Sequence, residues 1–538
     1  MKRGLLYLVV TLVLVITIPA AGYGAQAGNA VSVTLPDFKV TLNGEEVNNS
    51  YSKYPLIVYK DITYFPMTYN DCRFLGLESY WRGNAEGLFI EASDVTAAHK
   101  PYRTSVKNNR HQTAVIPGFP ITVNEKSVDN QKEEYPLLSF RDVTYFPMTW
   151  NFGVNEFSWD YAFDGENGLV IDSDNIKLTQ KSLPADRARN AGGTLKNNVA
   201  VTNAFVYYED AQGQIMQASL SNTSSTKQVY QLPVWTYGDG KTFVYAGLYA
   251  EDGRAFLTYH QGGATMGTDY LIRINDDGST TLLNDTRYYI KNFGDISIQY
   301  WIGPAPGPGQ LSIKGEGSEW HPLGNPDLLY GWAWRVSGNQ SGGGSSEDVY
   351  LVGSDLYILG FDIMSENTST TGIYRVNINT NETVRISARE VTAFYIEGDY
   401  IYYASAGSVY CYSLREGTEE LLKELVKAPN KIGELSVLNG NVYWQDGLDK
   451  NLYNLAGENL NSGAELEGMK FCGDNKEYLV CSFAETPHSK YRVMVFDRNG
   501  DVVFKTSDKA YPHHIYITGK VLYFYNVTAG TACIGELQ

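Results

Sequence analysis

Few residues in this sequence stand at spacings that do chemistry. Asp497-Arg498-Asn499-Gly500-Asp501 has the D-x-N-x-D spacing of a calcium loop, but Val502 sits at the sixth position, where glycine is needed, and no Glu stands at the twelfth. It reads as a hairpin turn. The seven histidines include no H-x-H pair, and His513 and His514, adjacent on a strand, would face opposite sides and could not ligate one metal. No G-x-S-x-G elbow presents a serine nucleophile. Two carboxylates able to hydrolyse a glycosidic bond cannot be picked out among 60 acidic residues. No catalytic residue, metal site or cofactor is therefore singled out. What remains is aromatic: Trp301, Trp320, Trp332 and Trp334 lie among glycine and proline, including Gly303-Pro304-Ala305-Pro306-Gly307-Pro308-Gly309. Exposed, such rings stack on sugars or pack a peptide; wedged between sheets, they are core, which is the reading the sequence favours. Residues 338–348, rich in Ser and Gly, read as a loop.

The chain that must position these rings has 538 residues, with 43 Lys and Arg against 60 Asp and Glu. A hydrophobic content of 43% excludes a disordered chain. The 41 tyrosines and 52 glycines point to pleated surfaces joined by turns, hence a mainly β fold. A formal charge of −17 works against nucleic acid or an anionic membrane as partner. Lys2 and Arg3, the apolar run 4–18 and Ala25-Gln26-Ala27 spell a secretory signal peptide over residues 1–27, so a secreted or cell-envelope location is expected. No later stretch is long and apolar enough to span a membrane. Five cysteines without C-x-x-C spacing make no disulfide scaffold; Cys472 and Cys481 would either bridge across a turn or serve as small core residues.

A duplication organises the amino-terminal third. Residues 40–91 and 121–172 align without a gap at an offset of 81, with 19 identities in 52 positions. Asn43-Gly44 predicts a hairpin, and Lys60-Asp61 a turn between two strands. Pro66 stands where a helix is expected to begin, with Phe74 and Leu75 on its apolar side and Gly76 as terminator; in the second copy Gly153 argues against that helix. The N-G hairpin, the Tyr64-Phe65-Pro66-Met67 segment and the closing Gly87-Leu88-Phe89-Ile90 resemble the stalk-type domain at the amino terminus of copper amine oxidases, a module reused in secreted proteins of Gram-positive bacteria. The resemblance implies two small α+β repeats, at 36–95 and 115–175. It does not bring the oxidase chemistry: no Asn-Tyr-Asp/Glu and no H-x-H occurs here.

Residues 176–198 read as a linker, and 199–538 as a β-propeller. A four-strand theme recurs about every 40 residues, most clearly from Val391 to Glu424, with similar cycles beginning near Phe205, Phe243, Ile296, Tyr350, Leu435, Phe471 and Ile515. The length fits seven blades, six and eight being compatible, and the strands after His513 are expected to close the ring against strands near Val201. Glu419-Glu420-Leu421-Leu422-Lys423 has helical spacing, but the repeat makes it a strand. This part resembles secreted bacterial propeller domains of unknown function, distantly like low-density-lipoprotein-receptor propellers. Two functions are compatible with these features. One is an exported, non-catalytic cell-envelope or extracellular protein, its stalk repeats docking and its propeller binding a glycan, peptide or protein. The other is a secreted propeller enzyme, a glycan hydrolase or lyase with axial carboxylates.

Overall fold

The structure, a computed structural model, describes residues 29–537 apart from short breaks, the longest at 234–244, 302–310, 363–370, 425–431, 461–469 and 484–491. The expected signal peptide, His513 and the Gly-Pro run 303–309 lie outside the described residues. The chain is mainly β.

The two amino-terminal copies fold into each other. Ala30–Thr34, Ile57–Tyr59, Ile62–Pro66, Val143–Pro147, Leu138–Phe140 and His111–Val115 close a six-stranded barrel in that order, three strands from each copy. Equivalent residues face one another where the copies meet: Phe65 pairs with Phe146, and Ser32 with Thr113. The copies also exchange hairpins. Val40–Leu42 of the first pairs in parallel with Gly168–Asp172 of the second, and Ile121–Val123 of the second with Leu88–Ala92 of the first. Phe65, Phe146, Leu77 and Ile171 therefore belong to one buried cluster drawn from both copies.

The predicted turns form, with Asn43, Gly44, Lys60 and Asp61 all at positive φ. The helix starts later than Pro66 predicted. Pro66 ends a strand, and Thr68 caps the helix Tyr69–Phe74 by accepting the Asp71 N–H, because a side-chain acceptor satisfies an orphan amide that proline cannot. Gly76 follows the helix at φ +77°. In the second copy Thr149 caps a π-helical segment, Trp150–Glu156, that contains Gly153.

Gly87 and Gly168 are equivalent positions at which an exchanged hairpin crosses close by. A Cβ on Gly168 would lie 2.1 Å from the Lys39 carbonyl oxygen, at φ +72°. Gly168→Ala is expected to destabilise this unit by more than about 1 kcal/mol, since alanine meets both the strain and the clash. Urea melts check it, and an unchanged midpoint would contradict the crossing geometry.

Eight antiparallel sheets follow among the described residues. Their first strands are Val199–Val201, Tyr245–Glu251, Tyr288–Phe293, Leu328–Tyr330, Ala393–Glu397, Ile432–Leu438, Lys470–Asp474 and Ile515–Thr518. The cycle starts at Val391, Leu435, Phe471 and Ile515 fall at or beside first strands, whereas Phe205 and Ile296 begin second strands, Tyr350 follows an inserted hairpin and Phe243 lies outside the described residues. The expected linker, residues 176–198, enters the last of these sheets. That stretch is not only linker: Leu178–Ser182 pairs with Thr531–Glu536 and completes the eighth sheet. Closure is thus made there, not near Val201, whose strand begins the first sheet. Glu419–Lys423 is a strand, as the repeat required. Residues 338–348 hold more than a loop, because Trp332–Ser337 and Gln340–Ser345 pair as a hairpin set between Leu328–Tyr330 and Val349–Val352, which both pair with Asp355–Asp362.

The repeats are seated on the sheets through residues 95–98. The Thr96 amide donates to the Lys505 carbonyl at 2.8 Å, and the Ala98 amide to the buried Asp508 carboxylate at 2.8 Å. Val95 is fully buried against Leu438, Phe483 and Phe496.

Candidate functional site: a cleft between the second and third sheets

Neighbouring sheets are held by shared buried clusters at seven of the eight junctions. Leu248 and Tyr525 join the first sheet to the second and eighth; Leu356 and Ile298 join the fourth to the third; Ile373 and Phe394 join the fourth to the fifth. Val437 and Ala404 join sixth to fifth, Leu438 and Leu479 sixth to seventh, and Val480 and Leu522 seventh to eighth. Among the described residues no such cluster joins the second sheet to the third. A cleft of about 1560 Å³ opens there instead, and it reaches Tyr350 of the fourth sheet and Ile515 of the eighth.

The cause lies in strand alternation. In Arg254–Gln261, Ala255, Leu257 and Tyr259 turn toward the first sheet and are buried, which leaves Phe256, Thr258 and His260 on the cleft side. Cross-strand neighbours continue this wall: Tyr249 is paired with Phe256, and Asp269 with His260. On the third sheet Ile298 and Tyr300 are buried toward the fourth, so Tyr288, Ile290, Asn292 and Trp301 take the opposite face. Other junctions set Leu, Ile and Val at such positions; this one sets hydroxyl, imidazole, carboxylate and amide groups among rings. Such a face cannot close on a neighbour without leaving polar groups unpaired.

The rings are ordered by their own contacts. Tyr249 and Phe256 stack at 5.2 Å with planes 16° apart, and Tyr288 meets Trp301 edge to face at 5.5 Å. His260 Nδ1 lies 2.7 Å from Asp269 Oδ1. Lys291 Nζ reaches across the opening to Glu251 Oε1 at 3.9 Å; both side chains are substantially exposed, so the pair holds the two sheets together only weakly. At the cleft margin, burial and a hydrogen bond with Tyr230 push the Tyr259 hydroxyl well above the usual phenol range.

Of the four tryptophans singled out in the sequence, Trp301 is set against a residue of this cleft, Tyr288, without being one of its lining residues. Trp320 is half-buried in the turn before His321–Pro322, with Lys314 Nζ 4.7 Å from its ring. Trp332 and Trp334 lie on the inserted hairpin, and their side chains are outside the described residues. Sequence reasoning missed Tyr249, Phe256, His260, Asp269 and Tyr288. The available signal was the phase of residues 254–261: a strand with Arg, Phe, Thr and His on one face is not packed on both sides.

Chemically, the cleft offers flat apolar rings beside hydrogen-bonding groups. Its carboxylates are Glu251, Asp269, Asp295 and Asp348, and its lining contains no Ser or Cys. Among the described residues no group of three His, Cys, Asp or Glu side chains could hold a metal ion, and no helix is long and apolar enough to cross a membrane. The Cys472 side chain, and with it the pairing to Cys481, lies outside the described residues.

No protein-family model and no curated protein sequence matches the chain. Among solved structures it is similar to the β-propeller domain of Myceliophteria thermophila Cps50, at 10% identity over 66% of this chain and 99% of that one, with a TM-score of 0.31. It is similar to a prolyl endopeptidase at 12% identity over 61% of this chain and 52% of that one, TM-score 0.36. A chain of the nidogen/laminin complex is similar at 10% identity over 48% of this chain and 91% of that one, TM-score 0.27. The chain spans about half the length of the endopeptidase. At these identities and scores none of them assigns a function.

Proposed function

We propose that this is an exported binding protein, an eight-bladed propeller carried on interlocked stalk-type repeats, that holds a glycan chain in the cleft between its second and third blades. The observation that carries this reading is the cleft itself: a junction left open by its own residues and walled by stacked rings beside hydroxyl, imidazole, carboxylate and amide groups. Apolar ring faces with a few convergent polar groups are what a sugar ring requires, one face for stacking and an edge of hydroxyls for hydrogen bonds. The amino-terminal signal and the stalk resemblance support a location in the envelope of a Gram-positive bacterium, where such polymers are abundant. A glycan hydrolase or lyase using the lining carboxylates is the competing reading.

Calorimetric titration with defined cell-wall oligosaccharides tests it. Wild type is expected to bind and return the glycan intact, and Tyr249→Ala and Tyr288→Ala are each expected to weaken binding roughly tenfold, the equivalent of about 1.4 kcal/mol. Shortened glycans after incubation would establish the enzyme reading. Binding of peptides but not glycans, or binding unchanged in both variants, would overturn this one.

A further inference from the structure

We propose that a second site, in the first amino-terminal copy, binds an alkylammonium group in an aromatic cavity over Asp71. It is independent of the blade cleft.

The cavity measures about 60 Å³ and is walled by Tyr51, Tyr54, Phe65, His99 and Tyr102, with Asp71 at its base. A water molecule needs about 10–15 Å³, so the space is roomy enough for an ammonium with small substituents. Tyr54 and Tyr102 meet edge to face at 5.3 Å with planes 79° apart, forming a corner, and His99 is held in the wall by stacking on Phe74 at 4.9 Å. A carboxylate in a cavity walled by aromatic rings attracts ammonium ions through charge and through the ring quadrupoles. Lys53 Nζ, 5.0 Å from the Tyr54 ring centre, already shows this at one of these rings.

The carboxylate itself lacks a cation. Asp71 Oδ2 accepts the Thr68 hydroxyl at 2.6 Å, and among the described residues no Lys, Arg or His forms an ion pair with it. Arg73, two residues on, is turned away: its guanidinium pairs with Glu78 at 3.5 Å and lies 3.8 Å from the Tyr69 ring centre. Arg103 lines the rim and is exposed. Burial, only partly offset by the Thr68 hydrogen bond, pushes the Asp71 carboxyl up to about 6. A group that costs stability in this way and does no ion pairing is one that a ligand can complete.

The duplication supplies an internal comparison. The position equivalent to Asp71 is Phe152. Each follows its helix cap by three residues and gives its N–H to that cap, Thr68 in one copy and Thr149 in the other. Phe152 is buried against Phe146 at 5.2 Å and belongs to the shared core. The scaffold therefore folds around a phenyl ring at this position, and the carboxylate in the first copy is not something the fold demands.

Titration of the full-length chain with tetramethylammonium, Nα-acetyl-lysine amide and the neutral isostere 3,3-dimethylbutanol tests the assignment. Saturable binding of either cation, not matched by the neutral compound, is expected; which cation binds tells a quaternary from a primary amine. Asp71→Asn keeps an acceptor for Thr68 and is expected to weaken cation binding at least tenfold. Tyr102→Leu, which leaves Asp71 in place, is expected to weaken it as well, so the test survives if one variant fails to fold. No saturation by either cation, equal binding of the neutral compound, or full affinity in a folded Asp71→Asn or Tyr102→Leu variant would overturn the proposal.

Discussion

Replacing Thr179 and Gln180 together by proline is expected to collapse the eight-sheet ring, lowering its stability by at least about 3 kcal/mol. These residues lie opposite Ile534 and Cys533. In an antiparallel ladder, one of any two consecutive residues directs its N–H to the partner strand, so the pair removes at least one bond whichever residue donates. The carbonyl left without a donor costs about 1–3 kcal/mol more, and the strand Thr531–Glu536 becomes an open edge. Against a total of about 5–15 kcal/mol this is a large fraction. Thr179→Ala with Gln180→Ala retains both N–H groups and is expected to melt within a few degrees of wild type. Chemical denaturation of the three proteins decides it: if the proline pair behaves like the alanine pair, Leu178–Ser182 does not close the ring.

The second large effect falls at Trp159. Its ring is 1% exposed, 5.2 Å from Phe65 and 5.0 Å from Phe157, and its Nε1 donates to the Leu75 carbonyl at 2.9 Å. Phe65 and Leu75 belong to one copy, and Trp159 and Phe157 to the other. Trp159→Ala therefore removes the largest side chain at the centre of a core that neither copy builds alone, and leaves a helix-terminal carbonyl without its donor. The expected cost is about 3–5 kcal/mol, read as lost amide-exchange protection across residues 30–175. Trp159→Phe is expected to cost less, because most of the ring volume stays. Retained protection in the alanine variant would contradict the shared core.

How much of this was legible in the sequence depends on whether a feature is local. The strand at Glu419–Lys423 came from the repeat, against its own helical spacing. The turns at Asn43-Gly44 and Lys60-Asp61 follow from short-range chemistry and could be read directly. Partners could not. Val40–Leu42 has the alternation of a strand whether it meets its own copy or the other, and only the folded chain shows that it meets Gly168–Asp172. Leu178–Ser182 looked like linker because a polar outer strand carries no apolar stripe; its pairing energy is in backbone bonds that side chains do not announce. The candidate site divides the same way. The tryptophans drew notice by rarity, yet the cleft is defined by polar groups and rings standing among the aliphatic residues of two facing sheets. That signal becomes visible only when it is known which strands face.

The pairing of Phe65 with Phe146 and of Ser32 with Thr113 has a consequence for ancestry and assembly. A single copy would expose barrel edges and an unpaired hairpin, and what satisfies them is another copy of itself. The amino-terminal unit is thus a homodimer written into one polypeptide, its subunit contact made internal by the tether between the copies. Assembly that would depend on protein concentration becomes intramolecular, and the two halves are freed to diverge. One carries a phenyl ring where the other carries a carboxylate, and the tether seats the repeats against the sheets.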